Sequence, residues 1–555
     1  MFLGNLSLIQ TAVTSVSIYA VGWIIYCRYF HPLCSIPGPF LASFSRAWIV
    51  FKTVKGDMEH TQRALHKKYG NDYRCANAAA HRLTDQAILF ASHPTRLPAP
   101  IPKPSRYSIV MTTSKPLSDK YRLSTVLRPF LPRYLSVARF HKQSSLRQTD
   151  YYNAWAPPNN GYVGHFPARD EKEHSERRRI VNNVYSMSSV LESEKAIDSC
   201  TQLFSETMRE FAEQKSVVDL GLWTNMYAFD VLGELFYGNK FGFMSERKDI
   251  GNYMKAIDSL LPAFTIGGTV PSYLTKLYLV STILFSPSVR GALGAVKHIE
   301  NASEAAVKRR KRKIEENKDD KRDMLRKMLE IHADRGEKIN FTYQHICVES
   351  HSSIFAGADT TAIAINSILY HLMRNPAAYE RLTAEVDAAV ADGTLSMPVA
   401  YVEAIKLPYL KACTNEGMRL HPSVGLTMPR LVPGGGATIS GFHFPQGYRV
   451  GVNGAVVQYD KDVFGPDAEK FNPDRWIEGD AMRMDKTMIQ FGAGPRTCIG
   501  KNISLSEIYK LVPHIVRVFH IRLADPSKEW KTHNYWFNKQ TDVHIYIKER
   551  TYGLN

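Results

Sequence analysis

The chain predicts a mainly α fold with small β-sheets, preceded by a single N-terminal transmembrane helix. Three observations carry that expectation. Helical hydrophobic periodicity dominates from about Ile180 to Leu420. Short strand-like runs follow around Ala437 to Val452 and Thr541 to Ile547, and no charged residue lies between Phe2 and Cys27.

Along the chain, the apolar stretch Leu6 to Tyr26 would span about 31 Å as a helix, close to the hydrocarbon thickness of a bilayer. Tyr19, Trp23, Tyr26 and Tyr29 suit the interface, and the absence of a positive n-region and a small-residue cleavage site argues for an anchor rather than a cleaved signal. The first charges, Arg28, Lys52 and Lys55, follow the span, which places the remainder in the cytosol. Residues 1–29 are thus the anchor, 30–40 with Pro32 and Ile36-Pro37-Gly38-Pro39 a stiff hinge, and 41–555 one large folded domain. Within it, Thr201 to Phe211 is helical, and the apolar run Ile346 to Leu372 reads as a long helix. Pro376 suits the first position of a helix reaching Ala391. Gly434-Gly-Gly436 marks a turn before a hairpin. It is no phosphate loop, because neither strand nor helix flanks it correctly. Seven cysteines at 27, 34, 75, 200, 347, 413 and 498 show no paired spacing, as expected in a reducing cytosol, so neither disulfides nor zinc sites are expected.

A net charge of +17 invites a nucleic-acid reading, but its distribution argues otherwise. Residues 73–149 hold 13 Lys plus Arg against Asp85 and Asp119, a net +11. The same region has eight prolines between Pro94 and Pro132 and no useful period of either kind. The run Lys308 to Lys313 is followed by Glu315, Glu316, Asp319 and Asp320, as on a solvated helix, and no nucleic-acid partner is expected. Asn301-Ala-Ser303 and Asn502-Ile-Ser504 match glycosylation acceptors but fall on the cytosolic side.

The chemistry is written in Phe491-Gly492-Ala-Gly494-Pro-Arg496-Thr-Cys498-Ile-Gly500. A lone cysteine framed by glycines suits a thiolate metal ligand in a loop where backbone must approach a large flat group closely. Upstream, Glu416-Gly-Met-Arg419 sets a carboxylate and a guanidinium on one helical face, and Phe471-Asn-Pro-Asp-Arg475-Trp476 brings a second arginine. Ala356-Gly357-Ala358-Asp359-Thr360-Thr361 puts an acid beside an alcohol in the long apolar helix.

Together these motifs resemble the cytochrome P450 family. That resemblance implies the P450 fold and haem b, with Cys498 as the axial thiolate and Phe491, Gly492 and Gly500 shaping the loop around it. Glu416, Arg419 and Arg475 would form a shared-carboxylate network. Thr360 would hydrogen-bond iron-bound dioxygen, with Asp359 relaying protons. Arg496, Arg430, Arg178 and His174 would face the haem propionates, His174 standing where many members carry Trp. Ser353, Val424 to Thr427 and Trp536 to Phe537 are expected to line the pocket.

The function implied is monooxygenation of a lipophilic small molecule by O2. With no flavin or nicotinamide motif of its own, the chain would receive electrons from NADPH-cytochrome P450 reductase. The implied site is the endoplasmic reticulum membrane, single-pass, with a cytosolic catalytic domain. Phe30-His-Pro-Leu33, Tyr185-Ser-Met-Ser-Ser189 and Asn534 to Gln540 resemble filamentous-fungal members of the pisatin-demethylase-like type. These point to secondary metabolism, with a terpenoid, polyketide or alkaloid as substrate. Two alternatives stand beside this: an oxygen-independent haem-thiolate isomerase or dehydratase, and an inactive haem-binding membrane protein.

The second alternative arises because residues 72–146 depart from the family pattern. Two readings fit: a misread exon or retained intron, and a genuine basic insertion that seeks a membrane surface. Sequencing the transcript decides between them, since wrong-frame translation predicts an interrupted reading frame there.

Overall fold

In the computed structural model, residues 2–69, 72–74, 88–91, 147–156, 162, 164–316, 322–439 and 442–551 are described. Everything is arranged around one helix, Tyr343–Arg374, of 32 residues. Thr342 caps it: its hydroxyl accepts the His345 N–H while the His345 ring accepts the Thr342 N–H. It stops at Asn375, because Pro376 lacks the N–H to continue and instead opens the helix Pro376–Ala391.

The central helix is packed from several sides. Leu220–Tyr237 lies along it with almost every residue buried, which is why that segment reads as apolar all round rather than amphipathic. Pro408–Leu420 crosses it where Gly417 meets Ile368, and a Cβ at Gly417 would stand 2.7 Å from Ile368 Cγ1. Any side chain there would push apart the two helices that carry Glu416 and Thr360. Lys501–Val518, which follows the cysteine loop, is the third helix against it.

The β structure is peripheral. Arg449–Gly451 sits mid-sheet between Ile88–Ala91, parallel, and Arg430–Leu431, antiparallel, with Arg147–Gln148 and Asp72–Arg74 at the two edges. Ala437–Ile439 and Phe442–Phe444 form the hairpin expected after the glycine run, where Gly435 and Gly436 take φ of +85° and +78°. Near the C-terminus, Lys531–Tyr535 pairs with Phe537–Thr541, and His544–Glu549 with Phe519–Leu523.

One expectation changes. The segment from 72 shows no strand period, yet Asp72–Arg74 and Ile88–Ala91 are strands: the open edge of Arg449–Gly451 pairs with Ile88–Ala91, whose other edge pairs with Asp72–Arg74, regardless of side-chain pattern. The rest of the basic segment, with Cys75, lies outside the described residues. The stiff hinge is docked on the body: Leu33 and Ile36 are buried in one cluster with Val432, Phe444, Val450 and Ile489. Ahead of it, Phe2–Ile25 continues through one π-helical turn to Phe30, with Gln10–Phe30 long and apolar enough to cross a membrane. Trp23 Nε1 donates to the Phe44 carbonyl at 3.1 Å, tying the end of the span to the body.

Several buried histidines make the fold acid-sensitive. Burial lowers His371 to about 3 and His421 and His514 to about 4, from an ordinary 6.5. Between those values and 6.5 the unfolded chain binds more protons than the fold, so stability falls as pH drops through that window, by about 1.4 kcal/mol per pH unit for each group. The unfolding temperature should therefore decline from pH 7 to pH 5, and His421→Gln should flatten the decline in a calorimetric pH series.

Candidate functional site

Glu416 is the best-anchored carboxylate of the site. It is fully buried beside a fully buried Arg419, whose Nε and Nη2 donate to its two oxygens at 2.8 Å each. Arg475 Nε reaches Oε1 at 3.0 Å, Trp476 Nε1 reaches Oε2 at 2.8 Å, and the Asn472 N–H adds a bond to Oε1. The remaining Arg419 nitrogen, Nη1, donates to the Gln458 and Ala468 carbonyls. The helix Pro408–Leu420, the turn at Gln458 and the stretch 468–476 are thereby clamped to one charge.

The loop itself is a short turn. The Cys498 N–H donates to the Phe491 carbonyl at 2.7 Å, and Gly492 and Gly494 both adopt φ of +70°, which a side chain would strain. Cys498 is solvent-accessible, yet enough protein stands around its sulfur that burial pushes its thiol up. The N–H groups of Gly500 and Lys501, at the start of Lys501–Val518, and the charge of Arg178 oppose that rise and favour the thiolate.

Basic groups crowd beside the loop. Arg178, on the helix Glu171–Val181, donates to the Thr497 carbonyl, one residue from the cysteine. Arg496 forks onto Glu171, with Nη2 at 2.7 Å from Oε1, and its buried Nη1 has no partner. Arg430 Nη1 donates to the Tyr152 hydroxyl at 2.8 Å. His174 is buried, and burial together with Arg496, His165, Arg178 and Arg430 drives it down to about 3, so it is neutral at pH 7. Three guanidiniums with one carboxylate between them and an orphaned donor fit an anionic group such as the haem propionates.

On the central helix, Thr360 Oγ1 donates to the Ala356 carbonyl at 2.9 Å. Asp359 does not join it. Its carboxylate is buried and accepts from Asn225 Nδ2 at 2.7 Å, with Lys539 Nζ at 3.3 Å. A Cβ at Gly357 would meet Leu232 at 3.0 Å, so its smallness serves contact with the neighbouring helix. Ser353 bonds Tyr185 and the Glu349 carbonyl. Trp536, at φ of +80°, sits with Phe537 in the core, its ring among Tyr151, Tyr152, Trp155 and Phe166.

Sequence reasoning did not find Glu171, Tyr152, Asn225 or Lys539. Glu171 had a faint signal, three residues before His174; the others have none, being ordinary residues that become relevant through contacts over 100 positions or more.

A family model described as Cytochrome P450 matches residues 135–543. The chain is 37% identical over 548 residues to "Cytochrome P450 monooxygenase gsfF" of Penicillium aethiopicum, covering 98% of this chain and 99% of that protein. It is 37% identical over 376 residues to "Cytochrome P450 monooxygenase ACRTS1" of Alternaria alternata, covering 67% and 99% respectively. Against "Pisatin demethylase" of Fusarium vanettenii it is 30% identical over 542 residues, covering 97% and 94%.

Removing the central carboxylate tests the clamp. Glu416→Ala leaves two arginines buried without their counter-charge and should cost about 3–5 kcal/mol, read as loss of folded protein or a collapsed unfolding temperature. Trp476→Phe removes one donor and should cost only about 1–3 kcal/mol by the same measurement.

Proposed function

The chain belongs to the cytochrome P450 family, as a monooxygenase of fungal type, and on that premise we propose that it inserts one oxygen atom from O2 into a lipophilic secondary metabolite. The observation that carries this reading is the Cys498 loop, whose accessible sulfur is met by two helix-start N–H groups and a neighbouring arginine. Bound there, haem supplies the oxygen-activating chemistry. Cys498 would hold its iron through the thiolate. Arg496 through its free Nη1, with Arg430, Arg178 and neutral His174, would hold the propionates.

The protein's own part is positioning and proton handling. Glu416 with its arginines and Trp476 keeps the loop in place so that the sulfur need not reorganise. Thr360 holds a proton on a hydroxyl that can rotate away from the Ala356 carbonyl, and Asp359 is the adjacent acid. The buried aromatic cluster around Trp536 gives this part of the domain an apolar interior, which suits a lipophilic substrate. NADPH-cytochrome P450 reductase is the proposed electron donor, and the endoplasmic reticulum membrane the proposed site, with Gln10–Phe30 as its span. The names of the relatives, including a pisatin demethylase, support a secondary-metabolite substrate. The 72–146 segment is proposed to be a misread exon or retained intron, on its basic, proline-rich composition and lack of any helical or strand period.

The test is the carbon monoxide difference spectrum of the reduced full-length protein in membranes. Wild type should show a red-shifted thiolate Soret band, and Cys498→Ala should lose it along with NADPH-driven turnover; a variant that keeps both would refute the assignment.

A further inference from the structure

Segment 423–427 borders the turn of the central helix that carries Thr360, and Ser423 Oγ donates to the Thr360 carbonyl at 2.7 Å. It belongs to no helix or strand. Backbone holds it at one end, through the bridge between Val424 and Phe537 and the Asn538 N–H on the Ser423 carbonyl at 2.9 Å. Beyond that point side chains set where it lies. They meet at the Gly425 carbonyl, which accepts from Asn453 Nδ2 and Asn534 Nδ2 at 2.9 Å each.

Each of these amides spends its second hydrogen on the helix Met58–Tyr69. Asn453 donates to Gln62 Oε1 and Asn534 to Glu59 Oε2, two residues one turn apart on a buried face. Thr532, two positions before Asn534 on the strand Lys531–Tyr535 and hence on the same side, donates to the other Glu59 oxygen at 3.1 Å. Asn453 also uses its oxygen, which accepts the Ala455 N–H. Asn534 is fully buried, and among the described residues its Oδ1 has no partner. An apolar side chain would fill the same place without that cost, but it would leave Glu59 and the Gly425 carbonyl each a donor short. Gly425 completes the fit, because a Cβ there would overlap the Asn534 amide.

We propose that Asn534 is a positioning residue of the reaction site: oriented by Glu59, it fixes the Gly425 carbonyl and so holds segment 423–427 against Thr360, which sets how bulky a ligand fits beside that residue. Ser423 and Val424, at the Thr360 end, are only half-buried. A shift of the segment therefore changes the surface that a bound molecule meets. The proposal rests on the monooxygenase reading.

Spectral titration of the full-length protein in membranes tests this, with imidazole as the small probe and clotrimazole as the bulky one, each read by the Soret shift as its ring nitrogen ligates the haem iron. Asn534→Asp removes both donors and sets a second carboxylate against Glu59. It should keep imidazole affinity within about twofold and weaken clotrimazole binding about tenfold. Pairing it with Glu59→Gln separates positioning from plain stability. The amide introduced at 59 donates to the carboxylate introduced at 534, so the unfolding temperature recovers, whereas no donor reaches the Gly425 carbonyl and the altered clotrimazole-to-imidazole ratio should persist. A wild-type ratio in the double variant overturns the proposal, whether or not Asn534→Asp alone folds. A wild type that lacks the thiolate carbon monoxide band refutes the monooxygenase reading and the proposal with it.

Discussion

The rest of the structure depends on the five hydrogen bonds that converge on the Glu416 carboxylate. A fully buried ionised group is costly unless each lone pair is met, and here two arginines, an indole and a backbone N–H meet them all. The donors come from two stretches, Arg419 on the carboxylate's own helix and 472–476 more than 50 positions later, so satisfying one charge sets the relative position of both. That geometry is passed on to the cysteine loop, which follows within the next 25 residues and has few internal bonds of its own beyond Cys498 N–H to Phe491 and Thr497 N–H to Gly494.

At the loop, two opposing effects meet on one sulfur. Enclosure by protein disfavours a thiolate, whereas the helix start at Gly500 and Lys501 and the Arg178 guanidinium favour it. Arg178 serves twice, since it also bonds the Thr497 carbonyl and so fixes the loop whose charge it balances. The neighbouring Arg496 is half-neutralised by Glu171 and keeps one buried donor in reserve, leaving a positive locus next to the sulfur. An anionic cofactor with two carboxylates fits this imbalance better than any uncharged group would.

The central helix separates two environments. The Thr360 hydroxyl bonds only to its own helix, while the adjacent Asp359 carboxylate turns to a different set of elements, Asn225 on one helix and Lys539 on a C-terminal strand. Neighbouring residues on a helix point about 100° apart, so an acid and an alcohol side by side in sequence turn to different neighbours.

Much of this protein is legible in its sequence because the relevant interactions are local. The long apolar run gives the central helix, Pro376 its end, the glycine run a hairpin turn, and Glu416 and Arg419 meet because three positions on a helix share a face. The cysteine loop is local too, its backbone bonds spanning seven residues. Tertiary structure alone decided the rest. Arg496 finds Glu171 across 325 positions, Arg430 finds Tyr152 across 278, and Asp359 finds Asn225 across 134. The strands at 72–74 and 88–91 exist because a neighbouring edge needed partners rather than through any pattern of their own. A side chain's type and spacing determine which bonds it is able to make, but which buried charge or open edge it meets is settled only when distant segments are packed together and every polar group must be satisfied.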